Sequence, residues 1–305
     1  MEGVAVAIDG GGTGSRLVAV DPRLRVVARR EGPPLNYTAL GPRGFEENLR
    51  SLARGLPRPL AVAASLAGAS PHRDEIGGII ARVLGAGRAA VMTDMEAALH
   101  GATCGGDGVV VAAGTGSFAY GRRGPREARV GGWGYFLGDE GSAYWAGREA
   151  VRILLEGLEE GRPGPLAEAV AGALGCSDVP GCLAAAYRLG PRGVAGLAPL
   201  VCRLASGGGE AFLVLARGAG LLAEAAVRVV RVLEAGWRPV VYGTGGFLEG
   251  CGLYASLLAA ALGRAGLGFS LVVEAPLRGA LAAALVEAGL GGCADAGNII
   301  SGLYG

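Results

Sequence analysis

The stretch Asp9-Gly-Gly-Gly-Thr-Gly-Ser15 closes the first apolar run of the chain, and Gly114-Thr-Gly-Ser117 repeats its core far downstream. Each turn follows a strand-like run (4–8 and 109–113), and each precedes two more alternating runs (16–21 and 24–29; 118–123 and 127–132). After the first triplet come a helix at about 43–55, a buried strand at 60–66, a helix at 72–84, a strand at 89–94 and a helix at 95–103. After the second, a long helical stretch fills 139–235, broken by Pro and Gly at 163–165, 175–181 and 190–193. A strand at 239–243, a helix at 250–264, a strand at 269–275 and a helix at 277–289 complete it. Apolar periodicity and Gly/Pro punctuation support these assignments. The repeated unit is therefore three strands with a glycine hairpin between the first two, then helix, strand, helix, strand, helix. The expected fold is α/β. It has two domains, 1–106 and 107–293, with the tail 294–305 returning to the first and a ligand cleft between them.

Glycines let backbone amides approach a ligand, and a row of such amides forms an anion nest. Thr13 and Thr115 add hydroxyls. Two nests facing one another would hold a polyphosphate from both sides. Aligning GTGS on GTGS sets Asp9 opposite Val111, so only the first nest brings a carboxylate. One carboxylate beside a polyphosphate is the minimum for a Mg²⁺ held largely through water. A P-loop is excluded, because the chain contains no Lys. Gly114-x-Gly116-x-x-Ala119 approaches a dinucleotide fingerprint, but that motif must open a helix, and the residues after Gly116 read as a strand.

Composition narrows the classes further. Net charge is +1, which leaves no electrostatic footprint for nucleic acid. The chain opens directly on a strand pattern, so no signal peptide is expected. The most apolar helix candidate, 211–235, carries Arg217, Glu224, Arg228 and Arg231 and is not expected to span a membrane. The expected location is cytoplasmic. All basic residues are Arg; a codon bias accounts for this better than heat adaptation, which favours Lys and Glu. The six cysteines show no Cys-x-x-Cys spacing and are expected as reduced, buried thiols. Cys176 and Cys182 are near enough in sequence to pair if the source is hyperthermophilic.

Asp9-Gly-Gly-Gly-Thr13, GTGS at 114–117 and above all GGWGYFLGDEGSAYWAGREAV at 131–151 resemble the N-acetylglucosamine kinase and BadF/BcrA-type ATPase branch of the actin-like ATPase superfamily. LNYTALG (35–41), SLAGAS (65–70), TDMEAALHGA (93–102), YGTGGF (242–247) and PLRGALAAAL (276–285) extend the resemblance over nearly the whole chain. It implies two ribonuclease-H-like domains hinged around ATP. It implies that Gly11, Gly12, Thr13, Gly14, Thr115, Gly116, Gly245 and Gly246 bind ATP, with Asp9 directed to Mg²⁺. Asn36, Gly132, Trp133, Gly134 and Asp139 would bind sugar hydroxyls, and Asp94 would be the catalytic base. The implied activity is ATP-dependent phosphorylation of the 6-hydroxyl of a hexose or N-acetylhexosamine, with homodimerisation left open. Each role has a structural rival: Asp94 and Asp139 as helix N-caps, Asn36 as a turn former. The same family holds ATPase activators of 2-hydroxyacyl-CoA dehydratases and benzoyl-CoA reductases. That activity needs cysteine thiolates around an iron–sulfur cluster.

Overall fold

The computed structural model describes residues 3–304. Its first sheet contains β1 (Val4–Gly10), β2 (Ser15–Val20), β3 (Val26–Gly32), β4 (Pro59–Leu66) and β5 (Ala89–Thr93) in the order β3-β2-β1-β4-β5. β1 is antiparallel to β2 and parallel to β4, and β4 is parallel to β5. The second sheet contains β6 (Gly108–Ala113), β7 (Ser117–Arg123), β8 (Arg126–Gly131), β9 (Val240–Thr244) and β10 (Gly268–Leu271) in the order β10-β9-β6-β7-β8. The two orders are the same, which is the repeat expected from the paired hairpins. Ser117 opens a strand, as read from the sequence, so the dinucleotide motif is absent.

In the first unit β1 is buried on both faces. Val4, Val6 and Ile8 face a core with Phe45, Leu49, Ile76 and Ile80, from α1 (Tyr37–Ala53) and α2 (Arg73–Leu84). Ala5 and Ala7 face α11 (Ala275–Ala288) and α12 (Cys293–Tyr304). Alanines on that side let α11 lie close to the strands. α3 (Asp94–Thr103) then packs on α11 almost backbone to backbone. A Cβ on Gly101 would lie 2.1 Å from the Ala275 carbonyl oxygen, and one on Gly279 2.0 Å from that of Ala97.

The second unit packs α4 (Ala143–Glu159), α5 (Pro165–Leu174), α6 (Val179–Ala195), α7 (Ala198–Ala205) and the long α8 (Gly209–Leu233) around one core. The short α9 (Gly246–Gly250) and α10 (Gly252–Arg264) complete it. The pentapeptide Leu-Gly-Pro-Arg-Gly occurs at 40–44 and 189–193 and interrupts α1 and α6, each time at its first glycine. Gly41 (φ 66°) and Gly190 (φ 61°) each take a left-handed conformation just before the proline. Among the described residues no single helix is long and apolar enough to cross a membrane.

Two expectations need correction. The chain divides at Gly106 and Val272, not at 106 and 293: the second unit is Asp107–Leu271, and the first resumes at Val272. The helix assigned to the second domain is α11, whose Leu277, Ala280, Leu281 and Leu285 fill the first unit's core. Apolar periodicity shows that a helix is buried, not which sheet buries it. The cysteines are not thiols: Cys104–Cys293, Cys176–Cys182 and Cys202–Cys251 form three disulfides. Two of these join partners 189 and 49 residues apart, which spacing rules cannot anticipate.

Candidate functional site

In the first unit the candidate residues gather at the carboxyl ends of the parallel strands. Asp9 is the penultimate residue of β1 and lies in register with Ser65 on β4. The fully buried Ser65 hydroxyl donates to Asp9 Oδ1 at 2.8 Å. Asp94 follows β5 directly, two strands away. Asp9 is in register with Ser65 and Ser65 with Met92, so Asp94 stands two strands across and two residues further along, which at the usual spacings sets the two Cα atoms roughly 12 Å apart. Arg16, opposite Asp9 on β2, pairs with Glu274 at the start of α11.

Asp94 is not the cap of α3. Thr93 is: its Oγ1 accepts the Glu96 amide at 3.2 Å, while Glu96 Oε2 accepts the Thr93 amide at 2.9 Å. This reciprocal box satisfies the helix start by itself. Asp94 occupies the next position, its Oδ1 accepting from the Met95 amide at 3.1 Å. Glu96 Oε1 also accepts from Arg73 Nη2 at 2.6 Å. Burial works against the Glu96 charge, but the bonds from Arg73 and Thr93 prevail and hold its pKa below the ordinary range.

The loops around these carboxylates hang from the first glycine turn. Gly10 and Gly11 carbonyls accept from the Ala67 and Leu35 amides at 3.0 and 3.1 Å. Asn36 does cap α1, its Oδ1 accepting from the Ala39 amide at 3.1 Å. One acceptor site of that oxygen is thus used locally. Gly68 (φ 74°) lies against it and accepts from the Thr38 hydroxyl at 3.2 Å.

Left-handed backbone is not the reason for glycine in either phosphate-type turn, since none of Gly11, Gly12, Gly14, Gly114 and Gly116 has positive φ. Gly10 is demanded internally, because a Cβ there would lie 2.6 Å from Leu35 Cβ. At Gly11 and Gly12 a Cβ would meet nothing within 4 Å. No neighbour within the protein demands glycine at these two positions.

The two turns differ in length. The first runs between the pair Gly10 and Ser15, the second between Ala113 and Ser117, one residue shorter. Counted from these pairs, Asp9 corresponds to Ala112, not to Val111. The second turn still lacks a carboxylate of its own, and Asp139 supplies one from outside. Its Oδ1 accepts the Ser117 amide at 3.2 Å, and a Cβ on Gly116 would fall 2.8 Å from its Oδ2. Asp139 is buried, at 8 % exposure, with φ 63°. Burial raises its pKa, opposed by the Ser117 bond and reinforced by Glu140. It does not cap α4; Ser142 does, accepting the Trp145 amide at 3.1 Å. The first amides of α4, Ala143 and Tyr144, are spent on the carbonyls of Gly114 and Thr115 at 2.9 and 3.3 Å.

The third glycine segment packs on the second. A Cβ on Gly245 (φ 102°) would lie 2.7 Å from the Ala113 carbonyl carbon. Glu249 Oε1 accepts both the Thr244 hydroxyl and the Gly245 amide, at 2.8 and 2.7 Å. Gly245 therefore shapes the loop, and Gly246 is exposed beyond it. Gly132 (φ 69°) and Gly134 (φ 83°) flank Trp133, which is 58 % exposed. Arg129 clamps this loop, its Nε and Nη2 donating to the Gly131 and Gly132 carbonyls at 2.9 and 2.5 Å.

The sequence profile of the BadF/BadG/BcrA/BcrD ATPase family matches residues 6–286. The chain belongs to that family. An N-acetylmuramic acid/N-acetylglucosamine kinase from Clostridium acetobutylicum is 37% identical over 117 residues, 37% of this chain and 38% of the relative. An N-acetyl-D-glucosamine kinase from Dictyostelium discoideum is 28% identical over 181 residues, 52% of this chain and 56% of the relative. The matches thus span between a third and three fifths of these curated relatives. A candidate N-acetylglucosamine kinase from Chromobacterium violaceum superposes with TM-score 0.72 at 28% identity, covering 92% of this chain and 98% of the other. A ROK family glucokinase from Streptomyces griseus, solved with glucose and AMPPNP, gives TM-score 0.60 at 16% identity over 92% and 98%, a likeness of fold.

In this chain the first unit brings together Asp9, Asn36, Asp94 and the first glycine turn. The second brings together Thr115, Gly116, Asp139, Gly245 and Gly246. Sequence reading overlooked Ser65, Glu96, Arg129 and Glu249. Thr93-x-x-Glu96 is a legible capping-box signature. The other three act through tertiary contacts without a local pattern.

Proposed function

We propose that the chain is an ATP-dependent sugar kinase that phosphorylates the 6-hydroxyl of a hexose or N-acetylhexosamine. The names of its relatives support the sugar-kinase class. The observation that carries the mechanism is the placement of Asp94 directly after β5: Thr93 and Glu96 already complete the helix start, so the cap of α3 does not depend on this carboxylate. Asp94 accepts the proton of the attacking hydroxyl as general base. Asn36, Gly132, Trp133, Gly134 and Asp139 hold the acceptor. The amides around Gly11–Gly14 and Thr115–Gly116 bind the phosphates, and the Gly245–Gly246 segment borders the adenosine. The lack of any neighbour within 4 Å of a Cβ at Gly11 or Gly12 supports phosphate binding at these amides, and Asp9, which accepts from the Ser65 hydroxyl, would hold Mg²⁺ through water. Magnesium-bound ATP supplies the phosphoryl group and the counter-charge; the protein supplies positioning and the base.

The activator reading finds less support. It needs thiolates for a cluster, and the six cysteines are tied up in three disulfides. The test is Asp94→Asn in a coupled ADP-release assay across glucose, mannose, glucosamine and N-acetylglucosamine. With the Thr93 cap intact, the melting temperature should hold while kcat falls about 10²–10⁴-fold. A variant within about threefold of the parent at saturating substrates removes Asp94 from the base role.

A further inference from the structure

We propose that Arg73 and Glu96 form a positioning pair that sets Asp94 relative to the acceptor loop; the inference rests on the kinase reading above. A capping box needs only one side-chain oxygen at its fourth residue, and Gln serves as well as Glu. Glu96 uses both. Oε2 holds the Thr93 amide at 2.9 Å, and Oε1 holds Arg73 Nη2 at 2.6 Å. Arg73 is the first residue of α2, at the far end of the loop that leaves β4. Gly68 in that loop lies against Asn36 and Thr38. The pair therefore links the loop beside Asn36 to the residue just before Asp94, although the two segments belong to different strand-to-helix connections.

The pair is half exposed, with side chains 38% and 27% accessible. Exposed ion pairs contribute little to stability and cost side-chain entropy. What such a pair can supply is geometry. A general base must meet its hydroxyl within hydrogen-bond reach, and small displacements there cost rate out of proportion to stability.

The experiment uses the full chain with glucose and N-acetylglucosamine as acceptors. Arg73→Gln and Glu96→Gln each remove the ion pair while leaving the capping box possible. Each should lower kcat roughly tenfold and raise the acceptor KM, with KM for ATP unchanged and the melting temperature within about 2 °C of the parent. The double variant should be no worse than either single, because both break one link. Arg73→Lys, which keeps the charge, should recover part of the rate. Rates within about twofold of the parent, single effects that multiply in the double variant, or a loss that tracks the melting temperature would each overturn the proposal. If Asp94→Asn is impaired and the pair variants are not, the pair alone is rejected. If Asp94→Asn matches the parent, or if the parent releases no ADP with either sugar, base and positioning fall together.

Discussion

The contact between α3 and α11 makes a strong demand on two glycines. In Gly101→Ala the new methyl carbon would stand 2.1 Å from the Ala275 carbonyl oxygen and 2.7 Å from the Gly279 nitrogen. Ordinary C···O contacts begin near 3.3 Å, so the helices must part by about 1 Å. Backbone atoms, unlike a flexible side chain, cannot swing aside. Overpacking of a core costs about 1–3 kcal/mol, and a rigid backbone clash belongs at the upper end. A radial gap of that size also forfeits a quarter to a half of the dispersion energy of the neighbouring contacts. Against this, Ala exceeds Gly in helix propensity by up to about 1 kcal/mol. The net loss is about 2 kcal/mol or more, a drop of roughly 4–8 °C in melting temperature for a domain of this size. Calorimetry of the full chain is the assay, with Gly78→Ala as the control. Gly78 is exposed on α2, and a Cβ there meets nothing within 4 Å, so that variant should gain stability. Gly279→Ala should resemble Gly101→Ala, and the double variant should cost less than the sum, because helices already parted by one methyl make room for the other. If Gly101→Ala melts at or above the parent, as Gly78→Ala should, the close joint is wrong.

Three further outcomes are expected. Asp9→Asn should keep the Ser65 hydrogen bond and sugar binding but lower turnover and raise the Mg²⁺ requirement; parental activity at saturating Mg²⁺ would reduce Asp9 to a turn former. Burial raises the Asp139 pKa, so its ionisation opposes folding once the pH exceeds the usual carboxylate value near 4. Asp139→Asn should therefore be the more stable protein at pH 7, helped by the tolerance of Asn for positive φ, yet lose affinity for sugar. The stability gap should close as the pH falls toward about 3.5, and a gap independent of pH would contradict the burial argument. Alkylation and mass spectrometry of the oxidised protein should find no free thiol and a Cys104–Cys293 peptide pair; replacing both by Ser should cost about 2–5 kcal/mol of stability.

Local sequence determined a good deal. Alternating runs on either side of glycine turns specified two hairpin-led units, because strand period and turn chemistry act over a few residues. Leu-Gly-Pro-Arg-Gly breaks two different helices in the same conformation, since proline bars the α conformation at the residue before it and glycine tolerates the positive φ adopted instead. Thr93 and Glu96 announced the start of α3, although the adjacent Asp94 obscured which residue was the cap. Tertiary structure decided what depends on residues distant in the chain. It assigned α11 to the first sheet, because the alanines of β1 and the glycine joint with α3 accept it there. It set Asp139 on the second glycine turn and Glu249 under the third, and it paired Cys104 with Cys293. Periodicity reports that a side chain is buried or a helix amphipathic. Which surface buries it is settled only by complementary shape and paired polar atoms, and these exist once the strands have brought the segments together.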